Sequence, residues 1–248
     1  MRLSKSWIIA SKDFKIFLKK KYIIFSVFII PLAVSFLLPV VIYYVGQENG
    51  GSGIPASELT YLLPALTFFY LLLAGLIPTS IASYSIIGEK VEKSLERLLA
   101  TPTTDGEILL GKGISSFLPP MGAILVGAAI YMVLMDLVTH GPLGYYFFPN
   151  WNAAIILFLT VPLATIMSVE WNVIVSSRVS DVRVAAQIGI LPILPFAAVY
   201  VGGELDVIQL GSTSNLLIIA GIILAVDLLL LYVARATFRR EEILSKWK

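Results

Sequence analysis

The sequence contains no cysteine and only one histidine, His140, in 248 residues. The absence of cysteine excludes disulfide bonds, thiolate zinc sites, iron–sulfur clusters and thiol catalysis. A single histidine also leaves little scope for metal chemistry. We therefore expect neither a metal site nor a catalytic centre in this chain.

Charge is scarce as well, since only 14% of the residues are charged and 58% are hydrophobic. Soluble domains carry about 25% charged residues. Stretches of about 20 apolar residues are long enough to cross a bilayer as helices. The sequence therefore predicts an all-α integral membrane protein with one membrane domain, residues 1–248. Six predicted spans cover residues 22–45, 61–87, 114–135, 151–176, 184–201 and 215–236. Two prolines, Pro192 and Pro195, predict a kink in the fifth.

The 18 Lys and Arg residues are distributed unevenly between the predicted loops. All of them lie in residues 1–21, 88–113 and 177–183 and from Arg235 onward, and none lies in the intervening loops. Positive charge in short loops favours the cytoplasmic side. We therefore predict a multi-pass protein of the cell membrane, with both termini and residues 88–113 in the cytoplasm.

Residues 1–21 combine seven basic residues with apolar ones at roughly helical spacing. The apolar positions are Trp7, Ile8, Phe14, Phe17 and Leu18. A helix with one basic and one apolar face is typical of the interface between membrane and water. This segment is predicted to be an amphipathic interfacial helix that contacts the lipid bilayer.

Residues 88–113 form the main charged interruption of the hydrophobic sequence. Apolar residues at helical spacing, Val91 to Leu99, predict an amphipathic helix. Pro102 ends it, because proline disfavours helix at the preceding residue. Thr104 and Glu107 have the spacing of a capping box, which predicts a new helix start. We expect a helix, a bend and a short second helix.

This stretch, GEKVEKSLERLLATPTTDGEILLGK, resembles the cytoplasmic signature of the type-2 ABC transporter permeases. The resemblance implies that residues 88–113 are the coupling segment that docks on a separate ATPase subunit. The coupling residues that it implies are Glu89, Glu92, Leu95, Glu96, Leu98, Leu99, Thr101, Pro102, Glu107 and Lys112. The loop containing Arg178, Asp181 and Arg183 resembles the family's second inner loop, although these residues also suit a role in topology or headgroup contact.

The resemblance further implies a membrane subunit of an ATP-driven exporter. Such a subunit works as a homodimer or with a similar permease, alongside two copies of an ABC ATPase and without nucleic acid. ATP and magnesium would bind to the ATPase, and no cofactor would bind to this chain. Gly106, Gly111 and Lys112 match the start of a phosphate-binding loop, but Gly113 replaces the magnesium-binding Ser or Thr. We therefore reject nucleotide binding here.

Two acidic residues fall inside predicted spans, Glu170 in the fourth and Asp227 in the sixth. An ionisable side chain in a span is costly and requires an explanation. Both residues suit a polar lining for a substrate route or a contact across a dimer. The alternative is a structural hydrogen bond to a neighbouring helix.

Two other classes of protein remain as alternatives. The first is an ATP-independent channel or secondary carrier. Inverted repeats or rings of charged residues would indicate this class, and neither is visible in the sequence. A membrane-embedded enzyme requires converging acid, base, metal or nucleophile groups in the spans, whereas the one histidine falls in an outer loop.

Overall fold

The computed structural model describes residues 3–48, 54–91, 103–179, 181–205 and 207–237. The regular structure within these ranges is helical, and six helical segments are long and apolar enough to cross a membrane. The predicted all-α fold with six spans is thereby confirmed. The orientation of the termini and the interfacial position of the N-terminal helix stay predictions.

The helix boundaries define the architecture. The helices are α1 (Leu3–Phe17), α2 (Lys21–Ile24), α3 (Ile30–Glu48), α4 (Ala56–Val91), α5 (Asp105–Leu143), α6 (Trp151–Ile155), α7 (Val161–Arg178), α8 (Val182–Gly189), α9 (Ile193–Glu204) and α10 (Thr213–Thr237), with π-helical turns at Phe25–Ile29 and Ile156–Thr160. The six spans are Phe25–Gln47, Ala56–Glu89, Asp105–Leu143, Trp151–Arg178, Arg183–Glu204 and Thr213–Ala236.

The second and third spans extend well into the predicted coupling segment. Helix α4 continues from the second span to Val91, and α5 begins at Asp105 and runs without interruption into the third span. The short separate helix predicted after Thr104 is therefore wrong. Gly113 alone does not interrupt a helix, since a glycine costs only about 1 kcal/mol in a helix interior. Movement of the C-terminal end of the coupling segment would thus act directly on the third span.

The fifth span is broken, as its prolines predict. Helix α8 ends at Gly189, a turn follows, and α9 begins at Ile193. Pro192 occupies the N-cap of α9, and Pro195 lies in its first turn. The first four N–H groups of a helix have no partner within it, so a proline there removes no hydrogen bond.

The second and fourth spans are the most deeply buried of the six and form the centre of the bundle. Phe68 and Tyr70 of the second span and Tyr131 of the third are fully buried. The first span packs on the third at Gly127, whose carbonyl oxygen accepts a hydrogen bond of 2.7 Å from Ser35 Oγ. Close packing and interhelical hydrogen bonds hold helices together in lipid. The buried aromatic side chains therefore fill the centre of the described bundle.

Helix α1 packs against the end of the bundle where the third span begins. Its inward face consists of Ser6, Ile9, Ala10, Asp13 and Phe17. Of the apolar residues on which the interfacial prediction rests, Phe17 faces inward, whereas Trp7, Ile8 and Leu18 are exposed. The apolar face of this helix is therefore divided between the protein and its surroundings.

Candidate functional site

Lys112 lies at the centre of a buried ion cluster that joins three helices. Its side chain is 2% exposed. Its Nζ donates to the Ser85 carbonyl at 2.6 Å and lies 3.3 Å from Asp13 Oδ2 and 3.5 Å from Glu89 Oε1. These three partners belong to the end of the second span and to α1. One ammonium group thus fastens the second span, the third span and α1 together.

Two further side chains complete this cluster. Lys12 Nζ lies 2.8 Å from Glu89 Oε1, and Ser115 Oγ lies 3.3 Å from Asp13 Oδ2. We use the name coupling hub for Lys12, Asp13, Glu89, Lys112 and Ser115. The cluster pairs two cations with two carboxylates, and Lys12 supplies its charge from an exposed position. Removing one partner from a buried ion pair costs about 3–5 kcal/mol, because the other charge loses its compensation.

Asp13 has an altered acidity in the coupling hub. Burial raises the pKa of its carboxyl above the ordinary value of 3.8, and Glu89 acts in the same direction. The ammonium of Lys112 opposes this shift. The direction follows because burial penalises the charged form more than the neighbouring cation stabilises it.

Local sequence explains how Lys112 reaches this position. The predicted capping box is confirmed: Glu107 N donates to Thr104 Oγ1 at 3.3 Å, and Thr104 N donates to Glu107 Oε2 at 3.0 Å. The box fixes the start of α5 at Asp105, so Lys112 follows two turns later. Gly111 lacks a side chain where α1 approaches, which lets Ser6 and Ile9 pack directly on its backbone.

The coupling residues implied by the sequence fall into two groups. Glu89, Glu107 and Lys112 are buried and face other parts of this chain. The other seven lie outside the described residues: Glu92, Leu95, Glu96, Leu98, Leu99, Thr101 and Pro102. The ATPase-coupling role of all ten stays a prediction, and the three buried residues would serve it from within the bundle.

The second inner loop is anchored to the centre of the bundle. Asp181 caps α8, accepting a 2.7 Å hydrogen bond from the backbone N–H of Arg183. Arg178 ends α7, the helix that carries buried Asn172. Asn172 Nδ2 donates to the Gly189 carbonyl at 3.1 Å and to Thr79 Oγ1 at 3.2 Å. This contact connects the loop to both the break in the fifth span and the second span.

Glu170 and Asp227 differ from these residues in their surroundings. Glu170 Oε2 and both carboxylate oxygens of Asp227 are buried and have no hydrogen-bond partner among the described residues. That part of the chain thus does not supply the structural hydrogen bond that was one alternative. The neighbouring helices α7 and α10, which carry these two residues, pack against each other.

The match to a phosphate-binding loop has a helical conformation. Gly106, Gly111 and Lys112 all lie within α5. A phosphate-binding loop instead wraps its backbone N–H groups around the phosphates before a helix begins. In α5 the backbone N–H groups from Leu109 onward donate hydrogen bonds within the helix. The Lys112 ammonium donates to the Ser85 carbonyl of the same chain.

The fold is that of a multi-pass helical membrane protein. At the end of the bundle that carries the coupling hub, charged residues join the second span, the third span and α1. A family model described as ABC-2 family transporter protein matches residues 7–212. The chain therefore belongs to the ABC-2 family and is a membrane component of an ABC transporter, as the resemblance of residues 88–112 implied. A search of curated proteins found no match.

Proposed function

We propose that the protein is the permease of an ATP-driven exporter and is powered by two separate ABC ATPase subunits. The family implies pairing with an ABC ATPase and a position in the membrane. ATP and magnesium belong to the ATPase subunits in this proposal. The permease contributes the route for the substrate and the contacts that receive the movement of the ATPases.

The observation that carries this proposal is the position of Lys112. The coupling segment, residues 88–113, is predicted to dock on the ATPase, and the helices at its two ends are fastened together by Lys112 through Ser85 and Glu89. A displacement of the segment therefore moves the ends of the second and third spans together. Without this connection, the two spans could separate and absorb the movement locally.

The loop containing Arg178, Asp181 and Arg183 is the proposed second receiver of movement. Asp181 fixes the start of α8. Asn172 ties the end of that helix, Gly189, to Thr79 in the second span. Movement at this loop would reach the break in the fifth span. The span can change direction there because its helical hydrogen bonds are already interrupted.

The substrate route in this proposal lies between two permease copies. Tyr70, Phe68 and Tyr131 fill the centre of the bundle, which favours a route at an interface over one through a single chain. A homodimer, or a pair with a similar permease, supplies such an interface. The distribution of Lys and Arg favours placing the coupling hub on the cytoplasmic side, where ATP is available.

Co-purification tests this function directly. A tagged full-length chain, extracted from native membranes in mild detergent, is expected to retain an ABC ATPase at a one-to-one ratio, with vanadate-sensitive ATP hydrolysis. The matched control is the same preparation carrying Lys112→Met and Asp13→Asn, which leaves residues 92–102 unchanged but disrupts the coupling hub. Purification of an active transporter with no nucleotide-hydrolysing subunit would overturn the proposal.

A further inference from the structure

The ends of the third, fourth and sixth spans enclose a pocket of about 370 Å³ on the side of the bundle that carries the coupling hub. Leu109 and Phe117 from the third span and Val169 from the fourth supply much of its apolar wall. Small-molecule sites are commonly apolar clefts of about 300–1,000 Å³ with few polar groups. The volume and the walls suit the apolar body of a small amphipathic molecule.

Glu170 is the acidic group in the wall of this pocket. Its Oε2 is buried without a hydrogen-bond partner in the described ranges. Arg235 lines the same pocket but is exposed, and no ion pair joins the two side chains among the described residues. The ionised form of a carboxylate in such surroundings is stabilised by a hydrogen-bond donor or a cation.

Asp227 places a second carboxylate next to the pocket. It is 5% exposed and lies four residues before Leu231, a residue of the pocket wall, so it occupies the same face of α10 one turn deeper. Both of its oxygens lack partners among the described residues. A second carboxylate therefore lies behind the wall of the pocket, while the rim carries the one arginine of the lining.

We propose that this pocket binds an amphipathic organic amine, with its ammonium group on Glu170 and its apolar body against the third and fourth spans. A primary ammonium group has three N–H donors, and one of them can donate to the unpartnered carboxylate oxygen of Glu170. Inorganic divalent cations fit less well, because Ca²⁺ and Mg²⁺ require six or more oxygen ligands. No group of three or more metal-ligating side chains occurs in the described part of the chain.

The test uses the full-length chain in lipid nanodiscs and compares octylamine, octanol and octyltrimethylammonium. These probes share an alkyl chain and differ in charge and N–H donors. Octylamine is expected to bind saturably, one molecule per chain, above the background of empty nanodiscs. A charge-assisted hydrogen bond is worth roughly 10-fold or more in affinity. Both other probes should therefore bind at least about 10-fold more weakly.

Two variants locate the binding. Glu170→Gln should weaken octylamine binding by about 10-fold and leave octanol binding unchanged. The matched control, Glu58→Gln, changes an exposed glutamate at the other end of the bundle and should have no effect. If Glu170→Gln fails to fold, Leu231→Trp fills the pocket without altering a carboxylate and should abolish octylamine binding.

Three results would overturn the proposal: equal binding of octylamine and octanol, equal effects of Glu170→Gln and Glu58→Gln, or undiminished binding to Leu231→Trp. A second copy that covers this face would overturn it too. Because the chain has no cysteine, near-complete disulfide crosslinking of Leu231→Cys in membranes would reveal such a copy. These measurements need no ATPase, so their outcome is independent of the proposed transport function.

Discussion

Gly111 and Ile9 approach so closely that a Cβ atom added to Gly111 would lie 2.8 Å from Ile9 Cβ. The same atom would lie 2.8 Å from the carbonyl oxygen of Ser6. One neighbour is backbone and the other is the branched part of a side chain, so neither can move aside cheaply. Helix α1 is therefore fitted to the third span at a position that only glycine permits.

Gly111→Ala should destabilise the protein by about 1–3 kcal/mol, because it overpacks this contact. Gly113→Ala is the matched control, since an added Cβ there meets nothing within 4 Å. The control should be neutral or gain up to about 1 kcal/mol from improved helix propensity. Thermal unfolding of both variants in the same detergent measures the difference. Equal midpoints would contradict the fitted contact.

Lys112→Met should destabilise the protein strongly, because Asp13 and Glu89 lose their buried cation. The expected cost is about 3–5 kcal/mol. Lys15→Met is the control, since Lys15 is exposed on the same helix as Asp13. Adding Asp13→Asn to Lys112→Met should restore part of the loss, because one uncompensated carboxylate is removed. Denaturant unfolding tests this, and a Lys112→Met variant as stable as Lys15→Met would refute the buried cluster.

Asp13→Asn should change how stability depends on pH. Burial raises the pKa of Asp13 above 3.8, so the folded chain retains this proton where the unfolded chain has released it. The contribution of Asp13 to stability is then complete below about pH 3.8 and declines as pH rises through the raised pKa. The wild-type chain's stability relative to Asp13→Asn should therefore fall with rising pH over the interval that begins near pH 3.8 and ends above the raised pKa. Unfolding midpoints across this interval measure the trend, and an advantage that grows with pH would contradict it.

Pro102→Leu should uncouple ATP hydrolysis from movement of the spans. Proline ends the first predicted helix of the coupling segment, and leucine would allow the two helices to join. The complex should still hydrolyse ATP. It should lose the ATP-dependent change in maleimide reactivity of a Glu58→Cys reporter at the far end of the second span. Pro55→Leu, at an exposed position just before α4, is the control. A retained reporter response in Pro102→Leu would argue against the bend as a transmitter.

Single-cysteine labelling tests the orientation. The natural chain has no cysteine, so Lys15→Cys and Glu58→Cys each introduce one unique thiol. An impermeant maleimide added to intact cells should label Glu58→Cys and leave Lys15→Cys unlabelled until the membrane is opened. This expectation follows from the positive charge around residues 1–21. Labelling of Lys15→Cys in intact cells would invert the topology.

The number of spans could be predicted because each requires only a local run of apolar residues. The capping box at Thr104 and the break at Pro192 are likewise local signals, since each depends on a few neighbouring residues. The continuity of α5 through Gly113 was missed. A glycine between two apolar helical stretches carries no decisive signal about whether the helix continues.

The coupling hub could not be predicted by the same means. Lys112 and Asp13 are separated by 99 residues in the chain, and Lys12 and Glu89 by 77. Helical periodicity places residues on a face but does not identify the partner of that face. One signal was nevertheless present: Asp13 is the single acidic residue among the first 21, where basic residues predominate. The unpartnered Oε2 of Glu170 also required coordinates, although the energetic cost of a glutamate inside a span was evident from the sequence.

Helix α5 contains 39 residues, which corresponds to about 58 Å at 1.5 Å per residue. The hydrocarbon layer is only about 30 Å thick, so this helix must tilt or project beyond it. Lys112 follows Asp105 by seven residues, or about 10 Å, so the charges of the coupling hub lie near one end of this helix and not at its middle. A thicker bilayer would draw these charges toward hydrocarbon, and a thinner one would leave them in water. Bilayer thickness should therefore tune how firmly the three helices are held together.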